Sequence, residues 1–197
     1  MKILLTGFES FGGESINPSW EAVKAAKAPE GVQLKKVCLP VTFAGAQAVL
    51  REQIGKEQPD VVLSVGQAGG RSGISLERIG VNLMDARIPD NDGCQPEDSP
   101  LVPDGETAYL STLPLRDLLK ALEEAGIPAS ISNTAGLYVC NTVLYTALRE
   151  AALHCPGMRA GFIHIPYIPE QGHQDQPSMP LETIVRALVT AISVITA

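Results

Sequence analysis

A thiol, an imidazole and a carboxylate suffice to cleave an amide bond without a metal, provided the fold brings them together. The sequence offers one candidate of each. Cys140 follows Ala135-Gly136-Leu137-Tyr138-Val139 and stands where a helical pattern begins. A thiol in the first turn of a helix feels the positive end of the macrodipole, which favours thiolate and lowers its pKa. The competing reading is a buried small hydrophobe, the commoner fate of a free cysteine. His164 closes the apolar run Gly161-Phe162-Ile163, and α/β sheets assemble their sites at the carboxyl ends of strands. Against this stands a core histidine with both ring nitrogens satisfied. Glu77 lies beside Arg78 and the strand-like alternation of Ile79, Val81 and Leu83. A carboxylate among sheet residues needs a partner, and an imidazolium would serve. Viewed alone, Glu77 reads more plainly as an exposed glutamate paired with Arg78 or Arg87.

The other chemistry-bearing residues lead elsewhere. His154, before Cys155-Pro156-Gly157, reads as a helix-end cap, and His173 as solvated in a polar loop. Three histidines and four cysteines show no HExxH, CxxC or His-x-His spacing, so neither a metal nor another cofactor is expected. Gly7-Phe8-Glu9-Ser10-Phe11-Gly12-Gly13 lacks both the GxGxxG order and the GK[ST] ending, and Gly66-Gln67-Ala68-Gly69-Gly70 lacks a phosphate-cradling lysine.

The elements that must position these residues alternate between strand-like and helix-period segments, which predicts an α/β layered fold. Strands are expected at 3–6, 32–39, 61–65, around 79–83, near Ile131 and at 160–165. Helices are expected from Pro18, through Ala46, Val49, Leu50 and Ile54, over Leu115–Leu122 up to Gly126, over 139–153, and from Leu181 onward. The segment 85–105 is rich in Pro, Asp, Asn and Gly, long for a plain connection, and therefore of functional interest.

At 197 residues with 45% hydrophobic and 19% charged residues, the chain is expected to form one domain spanning 1–197. A net charge of −7 with no basic run argues against nucleic acid as a partner. The start carries too short an apolar run for a signal peptide, and 184–197 is too short to span a bilayer and contains Arg186. No membrane association, a cytoplasmic location and four free thiols (Cys38, Cys94, Cys140, Cys155) are expected.

In combination these pieces resemble the pyrrolidone carboxyl peptidases, also called type I pyroglutamyl peptidases. The resemblance runs from Leu5-Thr6-Gly7-Phe8 and Phe11-Gly12-Gly13 through Gly66-Gln67-Ala68-Gly69-Gly70-Arg71, Glu77-Arg78 and Asp85-Ala86-Arg87-Ile88-Pro89-Asp90-Asn91. It continues through Ala135 to Asn141 and Phe162-Ile163-His164-Ile165-Pro166 to Pro177-Ser178-Met179. The small departures include Gly80, where the family pattern has alanine. The resemblance implies a three-layer α/β/α sandwich around a twisted, mostly parallel mixed sheet, and a homotetramer. It implies a cysteine peptidase that releases the pyroglutamyl residue from N-terminally pyroglutamylated peptides through a thioester acyl-enzyme. Cys140 would be the nucleophile, His164 the base and Glu77 its orienter. Phe8 and Phe11 would wall the lactam ring, Gln67 would hydrogen-bond it, and Thr42, Ile88, Tyr138 and Val139 would line the slot. Arg87 and the Cys140 backbone N–H would face the oxyanion. Two rivals remain open: a phosphorylase-like small-molecule enzyme of the same architecture, and a binding protein that keeps the pocket without turnover.

Overall fold

A computed structural model describes residues 1–197. Strands and helices alternate as β1 (Lys2–Phe8), α1 (Pro18–Ala25), β2 (Gln33–Leu39), α2 (Phe43–Glu57), β3 (Val61–Gln67), β4 (Ile74–Glu77), β5 (Ile79–Val81), β6 (Ala108–Leu110), α3 (Leu115–Glu124), β7 (Ala129–Ser132), α4 (Val139–Leu153), β8 (Arg159–Ile165) and α5 (Leu181–Thr196). Six strands form one sheet in the order β2-β1-β3-β8-β4-β7. β2, β1, β3 and β8 run parallel, while β4 and β7 run parallel to each other and antiparallel to β8. The result is the mixed, mostly parallel sheet expected.

Period-two alternation sends successive side chains to opposite layers. Ile3 and Leu5 of β1 and Leu63 and Val65 of β3 join a core with α1, α3 and α5. Leu4 and Phe8 of β1 and Val62 of β3 join a second core with α2 and α4. Because the central strands are buried on both faces, they read as unbroken apolar runs such as Val61-Val62-Leu63. The two cores give the α/β/α sandwich. α1 begins at Pro18, where the missing N–H removes no helical bond, and Asn17 caps it by accepting from the Ser19 N–H at 3.0 Å. No helix is long and apolar enough to cross a membrane.

Three strands depart from expectation, β4, β5 and β6, the last (Ala108–Leu110) falling where no strand was expected. β4 was hidden in what reads as loop, because it is only four residues long. β5 ends at Val81, short of Leu83, and pairs with β6 in a separate two-stranded ribbon lying on α4. The ribbon explains Gly80: a Cβ there would lie 2.8 Å from the Tyr145 backbone nitrogen of α4. The segment 85–105 is irregular but firmly held. Asp90 accepts from the backbone of Asp92 and Cys94, and its second oxygen takes the Phe43 N–H at the start of α2, at 2.9 Å. Asn91 donates to Glu9 and to the Ser10 carbonyl, tying this segment to the loop that carries Phe11.

Candidate active site

On β8, Ile163 and Ile165 point into the α1/α3/α5 core and Phe162 into the α2/α4 core, so His164 shares the face of Phe162. On β4, Ile74 and Leu76 fill the α1/α3/α5 core, which turns Ser75 and Glu77 to the same face as His164. The antiparallel register pairs Ser75 with His164 and Glu77 with Phe162. Glu77 is thus the diagonal neighbour of His164, within reach of a long side chain. Its Oε1 lies 2.8 Å from His164 Nδ1, with both residues buried.

Glu77 is therefore neither exposed nor paired with Arg78 or Arg87. Its cationic partner is Arg71, whose Nη1 lies 2.6 Å from the same Oε1 and whose Nη2 donates to the Thr134 carbonyl at 3.2 Å. Oε2 is buried without a partner, since Ser132, opposite Glu77 on β7, donates to Thr134 instead. Burial alone would raise the Glu77 pKa. The hydrogen bond to His164, its charge once the ring is protonated, and the Arg71 guanidinium outweigh it and hold the carboxyl below its usual range. For His164 burial wins over Glu77, so its pKa falls below the ordinary value and the imidazole rests neutral. With Nδ1 committed to Glu77, Nε2 is the nitrogen left to meet a substrate or a thiol.

Cys140 is the second residue of α4. The N-cap residue Tyr138 contributes no side-chain cap, so the leading N–H groups of the helix remain free to bind an anion. Asn141, fully buried, accepts from the Val81 N–H at 2.9 Å and donates to the Val81 and Leu83 carbonyls, fixing the helix start against β5. The thiol lies over the rung where Gly66 of β3 pairs with His164 of β8: a Cβ on Gly66 would sit 2.8 Å from Sγ. The helix start does not lower the thiol pKa as expected. Although the residue as a whole is partly exposed, its thiol is enclosed, and burial followed by the Glu77 charge pushes the pKa up to about 12 against a pull from Arg71. The resting pair is thiol and neutral imidazole.

Cys140 and His164 open into a cavity of about 290 Å³. Phe8, Phe11, Gln67, Tyr138 and Val139 line it. Thr42 does not: it is the N-cap of α2, and its neighbour Val41 takes the place on the wall. Ile88 and Arg87 line an adjoining cavity of about 280 Å³ that shares Phe11 and Tyr138 with the first. Arg87 is exposed there, off the wall that holds Cys140, because its segment is anchored outward by Asp90 and by the Tyr138 hydroxyl on the Pro89 carbonyl. Sequence reasoning missed Arg71, Asn17 and Val41 as lining residues. Arg71 carried a signal as the charged end of the Gly66–Gly70 segment, and Asn17 as the first residue of Asn17-Pro18-Ser19-Trp20, which also matches the family pattern; Val41 carried none. His173 is partly exposed but not free in solvent: its Nε2 lies 2.8 Å from Glu14, and its ring packs tilted by 33° against Tyr167 with centroids 4.0 Å apart. The four cysteines are unpaired, and no three His, Cys, Asp or Glu side chains gather as metal ligands.

A carboxylate–imidazole pair facing a cysteine at an uncapped helix start, on an α/β/α sheet, is the arrangement of a thiol-dependent hydrolase. The chain belongs to the pyroglutamyl peptidase family, whose model matches residues 1–197. It is 50% identical over 197 residues to a pyrrolidone-carboxylate peptidase of Thermococcus kodakarensis, covering 99% of this chain and 96% of that one. It is 49% identical to one of Lactobacillus johnsonii, covering 99% and 92%. Among solved structures, the pyrrolidone carboxyl peptidase of the hyperthermophile Pyrococcus furiosus superposes with a TM-score of 0.96 at 47% identity, covering 100% of this chain and 98% of that one.

Proposed function

We propose that this chain is a cysteine peptidase that hydrolyses the amide bond following an N-terminal pyroglutamyl residue, with Cys140, His164 and Glu77 as its catalytic group. The observation that carries this reading is the buried His164–Glu77 contact opening into a small, largely apolar cavity that also holds the Cys140 thiol. At about 290 Å³ the cavity is at the small end of ligand sites, which run from about 300 to 1,000 Å³. That suits a five-membered lactam better than an extended peptide. A pyroglutamyl group has no free amine, so a carboxylate or metal anchor would have nothing to grip. An apolar slot (Phe8, Phe11, Val139) with the Gln67 amide beside it matches a flat, uncharged ring.

The resting thiol is protonated, so attack requires His164 Nε2 to take the Sγ proton as the Sγ–C bond forms. The tetrahedral oxyanion is held by the uncapped N–H groups at Cys140; Arg87, one cavity away, would join them only by turning inward. Collapse breaks the C–N bond, and the imidazolium returns its proton to the leaving amine. His164 then deprotonates a water that attacks the thioester, releasing pyroglutamate and restoring the thiol. Glu77 holds the tautomer that leaves Nε2 unprotonated and stabilises the imidazolium.

Incubation with a chromogenic pyroglutamyl amide, with and without iodoacetamide, tests the reading. Thiol-dependent release, unaffected by chelators and independent of phosphate, is expected, with the label on Cys140. Inactive enzyme labelled only at Cys38, Cys94 or Cys155 overturns the assignment. The resemblance also supports a homotetramer acting in the cytoplasm; light scattering giving a monomer's mass would remove the first part.

A further inference from the structure

Two side-chain amides line the cavity, Asn17 and Gln67. Asn17 is engaged by the fold: its Nδ2 donates to the Glu9 carbonyl and its Oδ1 accepts from the Ser19 N–H and hydroxyl. Gln67 is the amide left for a ligand, and its usefulness depends on which end faces the cavity. A primary amide presents either a carbonyl or a two-proton donor, and the two are nearly isosteric, so the choice must come from its neighbours. The neighbour is Gln171, at the end of the short 3-10 turn Pro169–Gln171 in the loop after β8. Two partners fix the orientation of Gln171 independently. The Ile168 backbone N–H can only donate, and it lies 3.1 Å from the Gln171 atom that must therefore be Oε1. The Glu14 carboxylate can only accept while ionised, and its Oε2 lies 3.4 Å from the opposite end, which must be Nε2. Glu14 is itself held by His173 at 2.8 Å.

With Gln171 fixed, Gln67 has no freedom left. Gln171 Nε2 donates at 2.9 Å to the Gln67 atom facing it, which must be the carbonyl oxygen. The Gln67 NH₂ is then the end turned to the cavity.

We propose that Gln171 is a positioning residue for substrate selection: by donating to Gln67 Oε1 it presents the Gln67 NH₂ to the cavity, where it donates to the lactam carbonyl. The proposal rests on the reading that this cavity holds the pyroglutamyl ring. Gln171 touches no substrate, and Glu14 and His173 act behind it. A ring without that carbonyl, such as prolyl, leaves the Gln67 donor unpaired, so the relay supplies part of the discrimination.

A double-mutant cycle on kcat/KM for a pyroglutamyl amide tests it, with Gln171→Met, Gln67→Leu and the pair. Gln171→Met should lower kcat/KM about tenfold, chiefly through KM, because the lost bond only orders Gln67. In the Gln67→Leu background the same change should cost less than about twofold. Gln171→Glu, which keeps the acceptor for Ile168 and replaces the donor by a second carboxylate oxygen, should lose more than Gln171→Met despite conserving the turn. Equal losses from Gln171→Met with and without Gln67 overturn the relay and leave the lactam reading standing, as does a Gln171→Met or Gln171→Glu enzyme at full kcat/KM beside an impaired Gln67→Leu enzyme. Full activity and full preference in Gln67→Leu itself would remove the lactam contact, and the relay with it.

Discussion

Gly66→Ala puts a methyl group between the nucleophile and the strand that carries its base. A Cβ at Gly66 would lie 2.8 Å from Cys140 Sγ and 2.7 Å from Phe162 Cζ. Ordinary heavy-atom contacts begin at about 3.5 Å, so both contacts must open, by roughly 0.7–0.8 Å each. Phe162 is 1% exposed and wedged between the rings of Phe8, at 6.3 Å, and His164, at 4.7 Å. The helix start is tied to β5 by Asn141, which leaves rotation of the thiol as the easiest relief. A misplacement of about 1 Å at reacting atoms costs on the order of 10²-fold in rate, or roughly 2.7 kcal/mol of transition-state stabilisation. Overpacking costs about 1–3 kcal/mol of stability, from which the reduced freedom of the unfolded chain returns roughly 0.4–1 kcal/mol. The expectation is a kcat/KM about 10²-fold lower, carried mainly by kcat, with Tm lower by only a few degrees. Gly55→Ala, on an exposed position of α2 where a Cβ meets nothing within 4 Å, is the control. It should leave turnover unchanged and raise Tm by a few degrees. Turnover of Gly66→Ala within about fivefold of the unmodified enzyme would show that the thiol does not sit over the Gly66–His164 rung in the active state.

Cys140→Ala and His164→Ala should each remove nearly all turnover, with a double loss far below the product, and Glu77→Gln should lose less but clearly; a folded His164→Ala enzyme near full turnover refutes the catalytic group. In pH titration of stability, the unfolded chain protonates His164 near 6.5 and Glu77 near 4.5 while the folded chain resists both, so stability falls on acidification below about pH 6.5 and continues to fall through the depressed folded pKa of each. On the alkaline side the unfolded thiol ionises near 9.0 and the folded one only at about 12, so stability falls as pH rises above 9. Each group contributes at most about 1.4 kcal/mol per pH unit, and calorimetry of Cys140→Ala should show a shallower alkaline limb; an unchanged limb contradicts the enclosed thiol. Because His164 must be neutral to act, the acid limb of kcat/KM should have its midpoint below pH 6.5; a midpoint above 7 would mean that the Glu77 charge outweighs burial. Pyroglutamyl amides should exceed glutamyl and prolyl analogues by at least about 10³-fold in kcat/KM, and a ratio within tenfold contradicts the lactam slot.

What was legible in the sequence was whatever rests on local pattern. The start of α4 at Val139 follows from helix periodicity, and with it the place of Cys140. The apolar run of β8 placed His164 at a strand end. Glu77 was legible as a residue but not as a position, because β4 is four residues long and follows a glycine-rich segment that reads as loop. Its partner could not be chosen among Arg71, Arg78 and Arg87 by proximity in sequence. Arg71 wins because the chain turns back between 71 and 74, bringing the guanidinium over the carboxylate six residues on. The thiol pKa was misjudged for a related reason. The helix dipole is a local effect worth up to about 2 kcal/mol, readable from position alone. Enclosure by β3, β8 and Glu77 is a tertiary effect, and it is larger. Gln171 lay in a loop without periodicity, so nothing local marked it.

The pairing of Glu77 with His164 is secured by residues that take no part in chemistry. Side chains alternate along β4 and β8, so a one-residue slip of β4 against its layers would carry Glu77 into the α1/α3/α5 core. There it would meet the environment of Ile74, Leu76, Ile163 and Ile165, which is apolar and offers a carboxylate no donor. The same slip would expel Ile74 and Leu76 from that core, each worth about 1.5–3 kcal/mol of burial. Both terms oppose the slip, and both are written in the alternation Ile74-Ser75-Leu76-Glu77. The apolar residues of β4 thus set which face the carboxylate occupies. Arg71 and His164 hold it ionised there. Replacing Leu76 with a polar residue should therefore impair catalysis through the strand's register before any contact at the thiol is touched.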